Sequence, residues 1–370
     1  MAEQGDNTMR AAILTAVGPE AGVELRDDVT AVGPGPGEVR VRLRATGVCH
    51  SDLSVLTGVI PSGMPAVLGH EGAGEVIEIG PQVTTVQPGQ HAVISWTPAC
   101  GNCQECHSGL PFLCLTYVIE GFKKPRFRLG DGSPAFGMAG CGTWAEEIVV
   151  PWQAVIPVDD DVPFEYAALL GCGIPTGVGA VVNTARVVPG SSVAIVGCGG
   201  VGLAAVQGAR IAGAAVILAV DPLESKHARA LELGATHAVT PDGAAQARKE
   251  LTGGRGFDYA FEVVGRSATI RAAWQLARRG GDVIVVGAGS KSDDMQFSAW
   301  ELLFDGKNLL SSMYGGCDLR RDVDRFAGLW RAGRLDIEGL ISARITFDEL
   351  NDAIAALRGG DAVRQVVTFG

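Results

Sequence analysis

The sequence lacks an apolar run long enough to span a membrane, and it lacks an excess of basic residues. Lys and Arg together number 30 against 41 Asp and Glu, so the formal net charge is −11. Because an acidic chain is repelled by nucleic-acid phosphates and anionic lipids, we expect neither nucleic acid nor a membrane as a partner. The first ten residues, MAEQGDNTMR, have no apolar core of the kind found in signal peptides. We therefore expect a cytoplasmic protein, with a loose tail over residues 1–8.

Internal repeats and low-complexity segments are also missing, apart from a short GPGPG turn at 33–37. Apolar residues make up 47% of the chain and charged residues 19%, which is typical of a globular protein and not of a disordered one. A chain of 370 residues is longer than one simple core organises, so its length predicts two domains.

Four of the nine cysteines fall within fifteen residues, in the segment CGNCQECHSGLPFLC. In a reducing compartment such spacing indicates metal binding more than disulfides. Four thiolates close a tetrahedron around zinc and leave no open position, so we predict a structural zinc site. Reduced structural thiols and an iron–sulfur cluster are the alternatives, and His107 is expected to be a surface residue. The predicted ligands are Cys100, Cys103, Cys106 and Cys114.

A second set of candidate metal ligands is spread over three distant segments. GVCHSDLS contains Cys49, GHEGAGEV contains His70, and GCGIPTG contains Cys172. Two cysteines and a histidine with a vacant fourth position form a known type of catalytic zinc site. We expect Asp52 to orient the imidazole and Glu71 to tune the metal or exchange onto it. Taken singly, each cysteine could be a buried apolar residue and the histidine a core residue. No role is assigned to the remaining cysteines, which are Cys141, Cys198 and Cys317.

The second half of the chain opens with a glycine motif in a strand–turn–helix context. A short apolar strand at 191–197 is followed by GCGGVG, a helical stretch, and a second strand that ends at Asp221. This order predicts a dinucleotide-binding unit, in which Gly197 permits the turn, Gly199 admits the pyrophosphate and Gly202 packs the helix on the strand. The carboxylate of Asp221 would accept the ribose hydroxyls and repel a 2′-phosphate, which favours NAD over NADP. Lys226 is either a further ribose contact or a solvated lysine.

The pattern of strands and helices predicts an α/β protein with two different domains. Alternating strands and helices continue after Asp221, as in a doubly wound parallel sheet. The first 170 residues contain short β-like runs separated by Gly and Pro, which favours a mostly antiparallel β domain. We expect residues 1–173 and 315–370 to form the zinc-binding catalytic domain, with the four-cysteine lobe at about 97–116. Residues 174–314 are expected to form the NAD-binding domain.

These motifs, in this order, resemble those of the zinc-dependent alcohol dehydrogenases of the medium-chain dehydrogenase/reductase superfamily. The similarity extends over roughly residues 9–370. It implies a GroES-like, mostly-β catalytic domain and a Rossmann coenzyme domain with a doubly wound parallel sheet. It also implies an oxidoreductase with one catalytic and one structural zinc per subunit, which transfers a hydride reversibly between NAD and a primary alcohol, aromatic alcohols included, or its aldehyde.

The resemblance also implies roles for individual residues. Ser51 would receive the alcohol proton, His50 and Arg364 would contact the pyrophosphate, and Trp96 would line the alcohol pocket. Apart from the resemblance, Trp96 and Trp144 together hint at an aromatic or medium-sized primary alcohol. Further coenzyme-binding positions implied by the resemblance are Thr176, Gly200 and Val201. One position departs from the family pattern, because Ser54 stands where many members have a histidine that ends the proton relay.

A rival activity is the oxidation of formaldehyde as its adduct with glutathione or mycothiol, since members of that branch also lack the relay histidine. An anionic thiol adduct would require basic residues at the pocket mouth, and GFKKPRFRLGDG supplies Lys123, Lys124, Arg126 and Arg128. A binding protein built on an inactive dehydrogenase is disfavoured, because no ligand or glycine of the motifs is missing. The 58-residue step from Cys114 to Cys172 resembles the long-loop, usually dimeric branch, with a tetramer as the alternative.

Overall fold

The computed structural model describes residues 8–360 and 362–370, which form two compact units. Unit 1 comprises the chain up to Cys172, with Asp318–Ala327 and Ile341–Gly370. Unit 2 comprises Gly173–Cys317 and Gly328–Leu340. The tail expected at 1–8 lies outside the described residues, except for Thr8. No helix of the described residues has the length and apolar character needed to cross a membrane.

The first part of unit 1 is built mainly of short strands. The strand β3 (Glu38–Val48) shows why, because its side chains alternate from Val39 to Ala45 between the apolar core and more exposed positions. The strands are β1 (Met9–Leu14), β2 (Glu24–Ala31), β3 (Glu38–Val48), β4 (Ala66–Val67), β5 (Gly72–Ile79), β6 (His91–Ile94), β7 (Phe127–Arg128), β8 (Pro134–Gly137), β9 (Glu147–Pro151) and β10 (Val155–Pro157). The helices are α1 (His50–Leu56), α2 (Gln104–His107), α3 (Thr116–Gly121) and α4 (Phe164–Leu169).

Unit 2 contains a six-stranded parallel sheet with helices between its strands. Its strands are β11 (Ser192–Val196), β12 (Val216–Val220), β13 (His237–Val239), β14 (Phe257–Glu262), β15 (Ala277–Val285) and β16 (Asn308–Ser311). Its helices are α5 (Gly173–Gly179), α6 (Gly200–Ile211), α7 (Ser225–Glu232), α8 (Ala244–Thr252), α9 (Ser267–Leu276) and α10 (Ala299–Asp305). The strand order β13-β12-β11-β14-β15-β16 is the 3-2-1-4-5-6 order of a dinucleotide-binding fold, which confirms the predicted doubly wound sheet.

The last part of the chain contributes to both units. Its elements are α11 (Leu319–Arg331), β17 (Ala343–Ile345), α12 (Leu350–Gly359) and β18 (Gln365–Thr368). Strands β18 and β17 extend the unit 1 sheet, whose order is β10-β6-β5-β3-β18-β17, with β9 also paired to β3. The other sheet of unit 1 is a closed barrel with the order β1-β2-β7-β8-β4.

The division into units differs from the predicted domains at the C-terminal end. The prediction assigned all of 315–370 to the catalytic domain, whereas the contacts group 315–317 and 328–340 with unit 2. Part of the reason is a pair of hydrogen bonds formed by the buried side-chain amide of Gln207 on α6. Its Nε2 donates to the backbone oxygen of Asp336 at 2.8 Å, and its Oε1 accepts from the Asp336 N–H at 2.7 Å. The two residues are 129 positions apart in the sequence, so residue spacing could not predict this contact.

Candidate functional site

The glycine motif forms the turn between β11 and α6. Gly197 has a φ of +100°, in the region that favours glycine, and its backbone therefore turns without steric strain. A Cβ on Gly202 would lie 1.8 Å from the backbone oxygen of Gly197, so only glycine fits where the helix meets the strand. A Cβ on Gly199 would meet no atom within 4 Å. The turn thus presents open backbone at the N-terminus of α6, a position suited to a pyrophosphate.

Asp221 follows β12 and is bound to the glycine turn. Its Oδ2 accepts a hydrogen bond from the Cys198 N–H at 2.8 Å, and its Oδ1 accepts one from the Leu223 N–H at 3.0 Å. The ammonium of Lys226 lies 4.0 Å from Oδ2. Burial raises the pKa of the Cys198 thiol to about 12, so this cysteine stays protonated beside the carboxylate. The turn and the acidic residue therefore form one connected arrangement at the carboxyl edge of the sheet.

The other residues assigned to the coenzyme by resemblance lie in both units. Gly200 and Val201 are the first residues of α6, and Thr176 is a half-buried residue of α5. His50 is the exposed first residue of α1 in unit 1. The contacts of these residues with a coenzyme stay predictions.

The second candidate site lies in unit 1 and is completely buried. One ligand atom each of Cys49, His70, Glu71 and Cys172 lies within 4.8 Å of the others. The Nε2 atom of His70 has no hydrogen-bond partner among the described residues, although it is buried. A buried ring nitrogen without a partner, beside two thiols, fits a zinc ion, because such an ion would complete the bonding of that nitrogen.

Asp52 holds two of these candidate ligands in place. Its Oδ1 lies 3.1 Å from Nδ1 of His70, and its Oδ2 accepts the Cys49 N–H at 2.8 Å, which caps α1. Because a carboxylate only accepts, Nδ1 donates and Nε2 is left with the lone pair that a metal needs. Asp52 is 1% exposed, so both contacts are formed away from water.

Glu71 and Arg364 form a buried ion pair beside the cluster. Nη1 of Arg364 donates to Oε1 of Glu71 at 2.9 Å, and Oε2 of Glu71 has no hydrogen-bond partner in the described part of the chain. Burial raises the pKa of Glu71 to about 8, although the guanidinium opposes this shift. The resemblance assigned Arg364 to the pyrophosphate, and this structural contact with Glu71 was not anticipated.

The residues assigned to the alcohol surround the same cluster. Oγ of Ser51 lies 3.8 Å from Sγ of Cys49. The half-buried ring of Trp96 lies nearly perpendicular to the His70 ring, with 6.4 Å between ring centroids. Ser54 donates its hydroxyl to the backbone oxygen of His50 at 3.1 Å, so its proton is engaged within α1. The aromatic and hydroxyl groups expected near an alcohol therefore lie next to the predicted metal ligands.

The four-cysteine lobe has the geometry of a closed metal site. The sulfurs of Cys100, Cys103, Cys106 and Cys114 lie within 4.8 Å of one another. Sγ of Cys100 accepts backbone N–H groups of Asn102 and Cys103 at 3.4 and 3.3 Å, as expected for a thiolate at a tight turn. Cys100 has a pKa lowered to about 6, chiefly by the Thr116 hydroxyl. His107 is exposed and does not belong to the cluster.

The structure bears on two expectations about the pocket. Trp144 is fully buried and donates its indole N–H to the Gly47 oxygen at 3.1 Å, so it packs in the core and offers no surface to a substrate. Two of the four basic residues after the lobe are also engaged elsewhere. Arg126 is 2% exposed and, together with Lys124, forms an ion pair with Glu38.

One buried acid at the carboxyl edge of the unit 2 sheet was missed. Glu262 ends β14 and is 0% exposed, and it accepts three hydrogen bonds, two from the turn that follows and one from Thr269 of α9. The only signal in the sequence was a glutamate closing an otherwise mostly apolar strand, FDYAFE.

Comparison with protein families matches both units. Residues 35–160 match the alcohol dehydrogenase GroES-like domain, and residues 200–330 match the zinc-binding dehydrogenase family. The chain is 35% identical over 371 residues to S-(hydroxymethyl)glutathione dehydrogenase of Paracoccus denitrificans, which covers 96% of this chain and 99% of the relative.

Solved structures agree over nearly the whole chain. A zinc-binding domain alcohol dehydrogenase protein of Burkholderia ambifaria superposes with a TM-score of 0.92 at 34% identity, covering 98% of this chain and 99% of that one. Benzyl alcohol dehydrogenase of Acinetobacter calcoaceticus superposes with a TM-score of 0.89 at 32% identity, covering 98% and 100%. Taken with the two ligand clusters and the glycine turn, these likenesses show that the chain is an oxidoreductase of the zinc-dependent alcohol dehydrogenase family, with zinc and NAD as its cofactors.

Proposed function

We propose that this enzyme oxidises a free primary alcohol, with aromatic alcohols among its substrates, to the aldehyde with NAD, and that the reaction is reversible. The observation that carries the proposal is the buried Nε2 of His70, which has no hydrogen-bond partner in the described part of the chain and belongs to the cluster with the thiols of Cys49 and Cys172, with the ring of Trp96 beside His70. The likeness to benzyl alcohol dehydrogenase supports an aromatic substrate. An indole next to the ligand cluster offers an apolar wall for such a ring.

The proposed roles follow from where each side chain lies. Cys49, His70 and Cys172 would hold the catalytic zinc, and Glu71 is near enough to approach it. A zinc ion at such an open site supplies Lewis acidity toward an alcohol or carbonyl oxygen. Ser51, beside Cys49, is positioned to accept the alcohol proton.

The proton that Ser51 accepts must leave without the relay histidine of other family members. Ser54 occupies that position and donates its hydroxyl to the His50 carbonyl, and a serine, unlike a histidine, supplies no titrating group. We propose that the proton passes from Ser51 to solvent at the exposed end of α1, where His50 lies. His50 and Arg364 also remain our candidates for contacts with the pyrophosphate.

Alanine substitutions in the cluster test the metal assignment. We expect Cys49→Ala or His70→Ala to abolish alcohol oxidation, because the open metal site is lost, while NADH still binds to unit 2. The matched control is Cys141→Ala, since Cys141 is also buried in unit 1 but lies outside the ligand cluster. Turnover, NADH fluorescence and zinc content would be measured on all three variants. Near-normal turnover of a zinc-replete Cys49→Ala or His70→Ala protein would contradict the assignment.

The second candidate function is oxidation of a thiol adduct of formaldehyde. The 35% identity to S-(hydroxymethyl)glutathione dehydrogenase favours it. Against it stands the pairing of Lys124 and Arg126 with Glu38, because paired basic groups are poorly placed to bind an anionic adduct. In the basic segment after the lobe, this leaves Lys123 and Arg128 as the exposed cations. We therefore rank the free alcohol first.

We also propose that the enzyme acts as a cytoplasmic homodimer, with a tetramer as the alternative. Strand β16 is an edge of the parallel sheet among the described residues, and α10, which precedes it along the chain, exposes Trp300 by 71% and Leu303 by 73%. Exposed apolar side chains and a strand edge without a partner in this sheet favour association with a second copy, because both are disfavoured in water. All nine cysteines are free, in keeping with a reducing compartment.

Light scattering on a sizing column tests the association. We expect the wild-type chain to elute with the mass of a dimer, and Leu303→Asp to elute as a monomer, because the charge cannot be buried in the contact. The control is Leu231→Asp, at another exposed leucine, which lies on α7. A monomeric wild type, or a Leu303→Asp variant of unchanged mass, would contradict the proposed contact.

A further inference from the structure

Glu262 is a buried acid to which the catalytic scheme gives no task. It is the last residue of β14 and pairs with Val196, the residue directly before the glycine turn. Its side chain is 0% exposed, and no donor among the described residues reaches its Oε2. Burying a carboxylate with one oxygen unpartnered is costly, so the contacts of the other oxygen must offset that cost.

The other oxygen gathers three donors from the segment that follows the strand. Oε1 accepts the N–H of Val264 at 2.9 Å, the N–H of Gly265 at 2.7 Å and the hydroxyl of Thr269 at 2.6 Å. Hydrogen bonds to a charged acceptor are stronger than those between neutral groups. Glu262 therefore fixes the path of Val263–Gly265, which we name the β14 turn.

The β14 turn lies against the glycine turn. A Cβ placed on Gly197 would come within 2.7 Å of Cγ2 of Val264 and 3.4 Å of the backbone oxygen of Val263. The N–H of Val263 donates to the Val196 oxygen at 2.9 Å. Displacement of the β14 turn would therefore move the backbone that approaches the pyrophosphate.

The β14 turn is also in close contact with the segment that follows β15. A Cβ on Gly265, which has a φ of +86°, would lie 2.6 Å from the backbone carbon of Ala288. A Cβ on Gly287 would lie 2.1 Å from the nitrogen of Gly265. Backbone packed this tightly leaves the β14 turn little room to take another conformation. The three hydrogen bonds of Glu262 thus organise the carboxyl ends of β11, β14 and β15, where ligands of such sheets bind.

We propose that Glu262 is a positioning residue for the coenzyme, which sets the affinity for NADH by holding the β14 turn against Gly197. The inference rests on the proposed function, in which the glycine turn binds the pyrophosphate. It assigns no chemical step to Glu262, because its effect passes through the backbone. The affinity for NADH should therefore depend on the acceptor at Oε1, whereas the KM for the alcohol and the zinc content should not.

Three variants separate this role from a general loss of stability. Glu262→Ala removes the acceptor, Glu262→Gln keeps an acceptor oxygen of the same reach, and Thr269→Val removes one of the three donors. The matched control is Asp258→Asn on the same strand. Asp258 binds Ser192 and Arg278 at the other end of β14, so its loss affects stability away from the coenzyme.

The dissociation constant of NADH would be measured by fluorescence, with melting temperature, zinc content and the KM for the alcohol recorded for each protein. We expect the dissociation constant of NADH to rise about tenfold or more for Glu262→Ala, which corresponds to a loss of about 1.4 kcal/mol in binding free energy. Thr269→Val should give a rise of about fivefold, as for one hydrogen bond, and Glu262→Gln a smaller rise. Asp258→Asn should melt earlier and bind NADH as the wild type does.

An unchanged NADH affinity in Glu262→Ala would overturn the inference. If that variant does not fold, unchanged affinity in Thr269→Val would overturn it instead. Equal weakening by Asp258→Asn would also overturn it, because the effect would then follow stability alone. A wild-type protein that does not bind NADH would reject the proposed function itself, which separates the two failures.

Discussion

Replacement of Asp52 by asparagine should weaken zinc binding at the catalytic cluster with little change in shape. The two carboxylate oxygens of Asp52 serve two donors, Nδ1 of His70 at 3.1 Å and the Cys49 N–H at 2.8 Å. An asparagine offers one carbonyl oxygen and one NH₂ group, so it satisfies one donor and faces the other with its own hydrogens. Either His70 loses the contact that orients its ring, or Cys49 loses the cap that fixes its backbone.

The size of the effect follows from this loss. Removing the partner of a metal-bound imidazole costs about 10- to 100-fold in metal affinity, which is about 1.4 to 2.8 kcal/mol. Asp52 and His70 are 1% and 2% exposed, so water does not restore the lost contact. We therefore expect the upper part of that range for Asp52→Asn.

Competition with a zinc chelator, followed by metal analysis, measures the affinity directly. The control is Asp322→Asn, another buried acid of unit 1, which accepts hydrogen bonds from Asp318 and Arg321 and does not contact the cluster. The control should lose stability and retain zinc. An Asp52→Asn protein that holds its catalytic zinc as tightly as the wild type would refute the reasoning.

Three further predictions concern other parts of the chain. Asp221→Gly should narrow the preference for NAD over NADP. An unchanged ratio of kcat/KM values for the two coenzymes would reject the role of the Asp221 carboxylate in coenzyme choice. Burial opposes ionisation of Glu38, but hydrogen bonds from Lys124, the Gly35 N–H and Arg126 prevail and lower its pKa. Its contribution to the free energy of unfolding is therefore complete above the unfolded pKa, about 4.3, and is lost as the pH falls through the lower folded pKa. Glu38→Gln should destabilise unit 1 by about 3 kcal/mol at neutral pH, with the difference from wild type shrinking below about pH 4 in denaturant titrations, and a constant difference would contradict the pairing. Cys106→Ser should leave one zinc per chain instead of two and lower the melting temperature, and an unchanged zinc content would contradict the closed site.

The parts of the site that depend on neighbouring residues could be predicted from the sequence. The four-cysteine lobe occupies fifteen residues, so its spacing alone brings the sulfurs together. The glycine turn is similarly local, since strand, turn and helix follow one another. In these segments the residues are so close in the sequence that their spacing determines where they lie relative to one another.

Contacts across long separations could not be predicted in the same way. Glu71 and Arg364 are 293 residues apart, and Glu38 and Arg126 are 88 apart. The basic segment after the lobe was therefore expected to carry unpaired positive charge, although the buried carboxylate of Glu38 forms ion pairs with its Lys124 and Arg126. Trp144 was misjudged for a related reason, because an aromatic residue in the sequence is equally suited to a pocket wall and to a core.

The most direct test of the account is NADH formation by zinc-replete enzyme, followed by absorbance. An aromatic primary alcohol alone would be compared with formaldehyde, the latter with and without glutathione or mycothiol. The account predicts turnover of the free alcohol that no thiol changes, since Arg126 and Lys124 are already paired. Turnover of formaldehyde only with a thiol, and none of the free alcohol, would contradict it and assign the enzyme to adduct oxidation.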